Sequence, residues 1–574
     1  MKKVAWRTIQ ISLLILTVLG IVKAVFVSLD IDESYAVAAA YRLVCGDKLL
    51  YDMWEPHQLS AFLPALFLLP YVKLSGTTAY CVIFLRIVGI IIHILIGQYL
   101  YHVTKEEAGK KSAFLITIFH LNFLPKWVSM PEFELMHYWG AILIFLLLYR
   151  YEKTGKNLYS LFAGLAYAVT VLCYPSLIIL FPLYLIVIKK GKYPIKGPLL
   201  FTLGAGIPAC FTGGWILSYM MPSQIREFAG YILMDASHTG ENASFKWIRY
   251  FWEVLDQLKI VAIAFTIAIG LTLVLVLILK FAGKAKLRFK EIAVIAVSLC
   301  IVVLSIETLY GYLLEDKNQF YLQVRFVIPV IAFFVFSVAN YREYKMEFLY
   351  GILPVTVSLP LIFMITNMDT NTAYAKLMPA VVIGLFIVMK YFRQNREEKN
   401  LLNTAAKYCV NGAAAGLLIC FFICKILLIR VSGCLPVTVK APMVQVKCGP
   451  AAGIFVLDEL GNAWNEEYDV IRNFVGNRKN ALYIGAEQLF YVAFCENVST
   501  PSVQGTAVYN EMYAKYYEVF PEKMPQIIVI DETFQDTPGY FYYPQNEYIF
   551  EWIEKKFRKT GEIEIGPYHV IWSD

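Results

Sequence analysis

From about Thr8 to Arg430 the chain is a succession of apolar blocks, most of roughly 15–26 residues and nearly free of charge. That patterning limits what it can fold into more than any other feature. A helix needs about 20 apolar residues to cross about 30 Å of hydrocarbon. Inside lipid the backbone has no water to bond, so each block must satisfy its own amides as a helix. Composition agrees: 58% of residues are hydrophobic and 17% charged, against roughly 45–50% and 25% in soluble domains. The expected fold class is a polytopic α-helical membrane protein.

The net charge of +7 does not indicate nucleic acid, because the basic residues fall in short clusters between the blocks. These are 105–111, 150–156, 189–196, 284–290, 342–345 and 393–399. Such clusters mark cytoplasmic loops. With Met1-Lys2-Lys3 also inside, thirteen spans are expected, near 8–28, 80–102, 112–129, 137–150, 159–173, 175–188, 198–220, 257–281, 291–312, 326–341, 347–366, 377–391 and 405–430. The first lacks a small-residue cleavage pattern and reads as an uncleaved anchor.

One apolar stretch, LSAFLPALFLLPYV at 59–72, would reverse the side of every later cluster if it crossed. Pro64 and Pro70 would each remove a helix hydrogen bond, so an interfacial position in the outer leaflet is expected. The first outer loop is then 29–79. An odd number of spans carries the chain outside, which divides it into a transmembrane domain, 1–430, and an extracytoplasmic domain, 431–574. In the latter, charges return and apolar runs shorten. ALYIGA (481–486) and QIIVID (526–531) read as buried parallel strands, while 465–477 and 548–559 have helical spacing. A small α/β domain is expected there, with no Gly-rich phosphate loop and no nucleophile elbow. The eleven cysteines are scattered without a CxxC pair, which argues against a metal–cysteine site. Cys434 and Cys448 both fall outside, but their spacing alone does not establish a disulfide.

This topology gathers acids on one side. Asp32 and Glu33 open the first outer loop, where Glu55 and His57 come next, and Glu132 and Glu134 cap the third span. Most single charged residues at a membrane surface are solvated loop ends. Adjacent carboxylates, however, repel, and partial burial raises at least one pKa, which suits a base that removes a proton from an acceptor hydroxyl or amine. Arg325, at the outer end of a later span, has the planar fork that holds a phosphate. His57 could contact substrate or cap the interfacial helix.

The stretch Asp32-Glu33-Ser34-Tyr35, the subsequent GDKLLYDMWEPHQLSAFL segment, Pro131-Glu132-Phe133-Glu134, the VTVLCYPSLIILFPLYL pair of short spans and Arg325-Phe326-Val327-Ile328-Pro329 occur in that order over residues 1–340. In order and spacing they resemble the GT-C membrane glycosyltransferases. The branch concerned holds the protein O-mannosyltransferases and the lipid A aminoarabinose transferase (glycosyltransferase family 39-like). Two departures stand out: Glu55-Pro56-His57-Gln58 replaces a Lys-containing motif of several relatives, and Glu stands in the second motif where Asp is common.

The resemblance implies a GT-C-like fold with interfacial helices in the first outer loop. It implies transfer of a sugar from a polyprenyl-phosphate donor to a glycan, lipid or protein acceptor, with inversion. Asp32 or Glu33 would be the base, Glu132 or Glu134 an assistant, and Arg325 the phosphate ligand, with Glu55 and His57 near substrate. No cofactor is certain; the one these acids would suit is a divalent ion at Asp32, Glu132 and Glu134. The expected setting is the cell membrane, with the N-terminus cytoplasmic, membrane lipid around the chain and no nucleic acid partner. Three readings compete: a polysaccharide polymerase or ligase, a transporter or flippase of lipid-linked glycans, and a non-catalytic glycan-binding relative.

Overall fold

The structure is a computed structural model of the 574-residue chain. It describes residues 2–125, 128–232, 243–281, 289–314, 327–364, 373–394, 401–430, 436–438, 441–475, 478, 480–485, 487–504, 510–531 and 555–573. Twelve helices come first: α1 (Lys2–Phe26), α2 (Ile31–Cys45), α3 (Phe62–Ser75), α4 (Cys81–Ala108), α5 (Lys110–Asn122), α6 (Phe133–Thr154), α7 (Asn157–Cys173), α8 (Leu180–Lys189), α9 (Lys196–Leu217), α10 (Pro222–Ile232), α11 (Ala243–Phe281) and α12 (Phe289–Leu314). Helices Val327–Ala339, Leu353–Phe363, Ala373–Gln394 and Leu401–Leu427 complete the bundle.

Among the described residues nine helices are long and apolar enough to cross a membrane. Eight of the thirteen expected spans are among them; α5, α7, α8 and Val327–Ala339 have only 13, 17, 10 and 13 residues, and α12 is not among the nine. The nine include residues 58–75, which the sequence assigned to the interface. The α-helical part of that segment, α3, has 14 residues. At about 1.5 Å per residue it rises roughly 21 Å, short of a full crossing. Helix α7 stops at Cys173 and a 3₁₀ turn over Pro175–Ile179 precedes α8, so the kinked pair of short helices is present where Pro175 demands it.

The bundle core is dense, and glycines permit some of its closest approaches. A Cβ on Gly164 would lie 2.0 Å from the Phe201 carbonyl oxygen, and one on Gly204 would lie 1.9 Å from that of Leu161. Helices α7 and α9 therefore touch backbone to backbone.

After the last bundle helix come two small antiparallel pairs, β1 (Leu428–Arg430) with β2 (Pro436–Thr438) and β3 (Met443–Gln445) with β4 (Phe455–Leu457). A five-stranded sheet then takes the order β6 (Asn497–Val498), β5 (Asn480–Ile484), β7 (Ile527–Asp531), β9 (Tyr568–Trp572), β8 (Gly561–Ile565). The strands β6, β5 and β7 are parallel and β9 is antiparallel to β7. Both expected strands lie at its centre, with Ala481 opposite Ile527 and Ile484 opposite Ile530. Residues 481–484 and 527–530 are all buried, as continuous apolar runs in a parallel sheet should be. Residues 465–475 of the expected helix lie in a longer one, Asp458–Val475, and 476–477 lie outside the described residues. Most of 548–559 lies outside the described residues.

The sheet does not stand apart from the first loop. Trp54 is fully buried among Tyr231 (ring centroids 4.7 Å apart), Phe228 and Tyr516. It therefore belongs to one apolar core with Ile528, Ile530 and Phe520. Its backbone N–H donates to the Pro501 carbonyl at 2.8 Å, and the Tyr516 hydroxyl donates to the Asp52 carbonyl at 3.0 Å. Loop, α10 and sheet thus share one apolar core.

Candidate active site

Helix α2 begins at Asp30, whose side chain accepts the Asp32 N–H at 3.0 Å while its own backbone stays extended. Asp32 and Glu33 fill the first turn, where the helix dipole favours negative charge. Consecutive helix positions point about 100° apart, and the two acids meet different surroundings. Glu33 is buried against Arg86 of α4 in a two-pronged ion pair, Nε–Oε1 2.7 Å and Nη2–Oε2 2.5 Å. Arg86 also donates to the Val25 and Ser28 carbonyls at 2.8 and 2.7 Å. Both Glu33 oxygens thus help fasten α2 to α1 and α4. Asp32 is half-buried and lies within electrostatic reach of Tyr174.

Glu55 is likewise taken up by architecture. Arg42, fully buried, donates through Nη1 to Glu55 at 2.7 Å, through Nε to Asp47 at 2.7 Å, and through Nη2 to the Asp52 carbonyl at 2.6 Å. Asp47 also meets Lys523 of the sheet domain at 2.6 Å. Burial pushes the Glu55 carboxyl up against the opposing pull of Arg42. Glu55, expected near substrate, takes part in a clamp in which Arg42, Asp47 and Lys523 tie the loop to the sheet domain.

His57 sits in left-handed backbone, φ 58°, a conformation that costs of order 1–3 kcal/mol outside glycine and gathers at functional positions. Its ring stacks on Phe133, with centroids 4.2 Å apart and planes 8° apart, and meets the edge of Tyr174 at 5.3 Å. Its Nδ1 lies 3.0 Å from the Cys173 carbonyl oxygen. A carbonyl only accepts, so Nδ1 carries the proton.

Helix α6 starts between two acids with different tasks. Glu132, fully buried, caps the helix and accepts the N–H groups of Glu134 (2.8 Å) and Leu135 (2.5 Å). Glu134 faces Lys376, near the start of helix Ala373–Gln394, with Nζ 2.5 Å from Oε1 and both side chains almost fully buried. The Lys376 ammonium lies 5.8 Å from the centre of the Tyr174 ring. Tyr174 also meets Phe133 and His137 edge-on at 5.9 and 5.4 Å and is within electrostatic reach of Glu134, Glu132 and Asp32. The Tyr174 ring, just past the end of α7, therefore borders His57 and the Lys376 ammonium, with Glu134 and Asp32 within electrostatic reach.

Among the described residues no group of three or more His, Cys, Asp or Glu is arranged to hold a metal. The expected triad of Asp32, Glu132 and Glu134 is not assembled, because Glu132 serves the helix end and Glu134 pairs with Lys376. Arg325 lies outside the described residues. Lys376 stands beside the candidate site without having been revealed by the motifs; the available signal was a lone cation at the edge of the apolar block 377–391, a placement that in a membrane segment points to a functional position.

On the sheet side, Glu487 lies beside Ser34 of α2. Burial raises its carboxyl to about 7; the Leu489 N–H and Ser34 oppose the rise and the Glu33 and Asp531 charges add to it.

No family model and no curated protein matches the chain. Solved structures similar in backbone course include ArnT from Cupriavidus metallidurans in the apo state, at 9% identity and TM-score 0.48 over 100% of this chain and 98% of that one. The same protein bound to undecaprenyl phosphate gives 10% and 0.45 over 99% and 98%. The Archaeoglobus fulgidus oligosaccharyltransferase tethered to an acceptor peptide gives 12% and 0.41 over 91% and 69%. All three TM-scores lie below 0.5, and the case for a function is carried by the chain's own residues.

Proposed function

We propose that the chain is a membrane glycosyltransferase that moves a sugar from a polyprenyl-phosphate donor to an acceptor hydroxyl or amine with inversion, Asp32 serving as base. The supporting observation is the convergence on Tyr174 of a half-buried acid, a histidine with a fixed tautomer and a buried carboxylate–ammonium pair. Of the adjacent acids, Asp32 suits proton removal, because Glu33 has both oxygens committed to Arg86. The acceptor attacks the anomeric carbon on the face opposite the phosphate. The leaving lipid phosphate is a stable anion, so the site needs a fixed positive charge rather than a strong general acid.

In this reading the first loop and the sheet lie outside the membrane and the N-terminus inside. Residues 1–430 carry the chemistry, and 431–574 form a cover docked on the first loop. Asp32→Asn tests it. A positioned base contributes about 10²–10⁴-fold, so product formation by protein in vesicles supplied with lipid-linked sugar should fall by that much at unchanged protein level. Full activity of the variant would remove Asp32 from the role.

A further inference from the structure

We propose that Cys45 and Cys495 form a disulfide that staples the end of α2 to the sheet domain. The inference needs this end of the chain to lie outside the membrane, as in the reading above, but it does not need the transfer chemistry. Disulfides form and persist in oxidising, extracytoplasmic settings. Cys45 is the last residue of α2, and Cys495 lies between the short helix Leu489–Phe494 and strand β6. Both are thiols in the structure, Cys45 half-buried and Cys495 buried. The two are within electrostatic reach of each other.

Three contacts seat the Cys495 segment on the first loop and α2. The Thr78 hydroxyl donates to the Val492 carbonyl at 2.9 Å, the Tyr41 hydroxyl to the Cys495 carbonyl at 3.0 Å, and Arg42 to the Pro501 carbonyl at 3.2 Å. Tyr41 and Cys45 are four residues apart on α2, so they share a face, with Cβ atoms about 5–6 Å apart. The Cys45 thiol is also within electrostatic reach of the Tyr41 hydroxyl. One phenol thus borders Cys45 and holds the carbonyl of Cys495 itself. Burial pushes the Cys45 thiol up to about 11, with Asp47 adding to the rise and Tyr41, Arg42 and Lys523 opposing it. Burial raises Cys495 as well. Buried, protonated thiols are poor nucleophiles, so the pair is structural rather than a redox sensor, and closure belongs to the stage at which the sheet domain docks.

The oxidant is itself a disulfide, either a thiol–disulfide oxidase or a small molecule such as oxidised glutathione. The Cys45 thiolate attacks one of its sulfurs and expels the other as a thiolate. The Cys495 thiolate then displaces the attached sulfur and forms the bond to Cys45. The two cysteines lose two electrons and two protons, and the oxidant leaves as two thiols.

Full-length protein taken from membranes without reductant, unfolded, alkylated and digested tests the pair. Mass spectrometry should find one peptide pair joined through Cys45 and Cys495, lost after reduction and in C45S or C495S. Alkylated Cys45 and Cys495 in unreduced wild type would overturn the inference. Oxidised glutathione added to the reduced, folded protein then gives the reason. Closure there leaves the contact sound and puts the fault in the external placement. No closure means two small apolar side chains merely packed together, with Cβ atoms beyond the about 3.5–4.5 Å that the bond needs. The staple has a second readout: reductant should speed proteolysis of the sheet domain in wild type and not in C45S/C495S. Equal rates in wild type would sink the stapling role. Every one of these outcomes is the same whether or not D32N turns over, so the disulfide and the transferase reading stand or fall separately.

Discussion

Glu33→Gln separates support from chemistry at two adjacent acids. The change keeps size and removes one charge of a buried pair, leaving the Arg86 guanidinium without its counter-ion but still bonded to the Val25 and Ser28 carbonyls. Removing one member of such a pair costs about 3–5 kcal/mol, mostly from the buried charge left behind. At roughly 2.1 cal/mol/K of unfolding entropy per residue, a 574-residue chain melting as one unit would lose about 3–4 °C. Thermal melting in detergent reads this shift, and turnover measured well below the melting range reads catalysis. E33Q should melt early and retain most turnover per folded molecule, whereas D32N should melt normally and fail to turn over. The double variant E33Q/R86M should recover part of the loss, because its remaining pocket is uncharged. The reasoning is refuted if E33Q melts like wild type and is inactive.

Three other outcomes concern features away from the reacting groups. Glu132→Ala removes a cap that serves two buried N–H groups, and melting should reveal a loss of about 1–2 kcal/mol. Gly204→Ala places a methyl against the Leu161 carbonyl of α7; forcing the two helices apart should cost about 1–3 kcal/mol, visible in the same melts. Glu487 binds its proton more tightly folded than unfolded, its carboxyl rising from the ordinary 4.5 to about 7. Stability should thus be fullest below about pH 4.5 and fall as pH rises towards and past 7, by at most about 3 kcal/mol; denaturation across that range should flatten in E487Q.

What the sequence made legible was whatever depends on near neighbours. Charge-free runs announced the bundle helices, Pro175 announced the break after α7, and turn-bounded apolar runs announced β5 and β7. The positions of Asp32, Glu33, Glu132 and Glu134 at two helix starts were equally readable. Which acid does what was not, because the deciding partner is distant in sequence. Arg86 lies 53 residues from Glu33, and Lys376 lies 242 from Glu134. The ion pair of Glu55 with Arg42, 13 residues before it, was likewise out of view. Periodicity reports which face of a helix is apolar but not which cation from another helix will meet it.

The burial of Trp54 among sheet-domain aromatics also bears on how the protein is made. Asp52 and its hydrogen-bond donor Tyr516 are separated by 464 residues. At about 5–20 residues per second, the ribosome takes roughly half a minute to a minute and a half to supply the second after the first. Throughout that interval the loop bearing the proposed base has an indole and a guanidinium without their final neighbours. A nascent chain halted before the sheet should therefore be a ready substrate for quality-control proteases, and catalytic competence should arrive only near the end of synthesis.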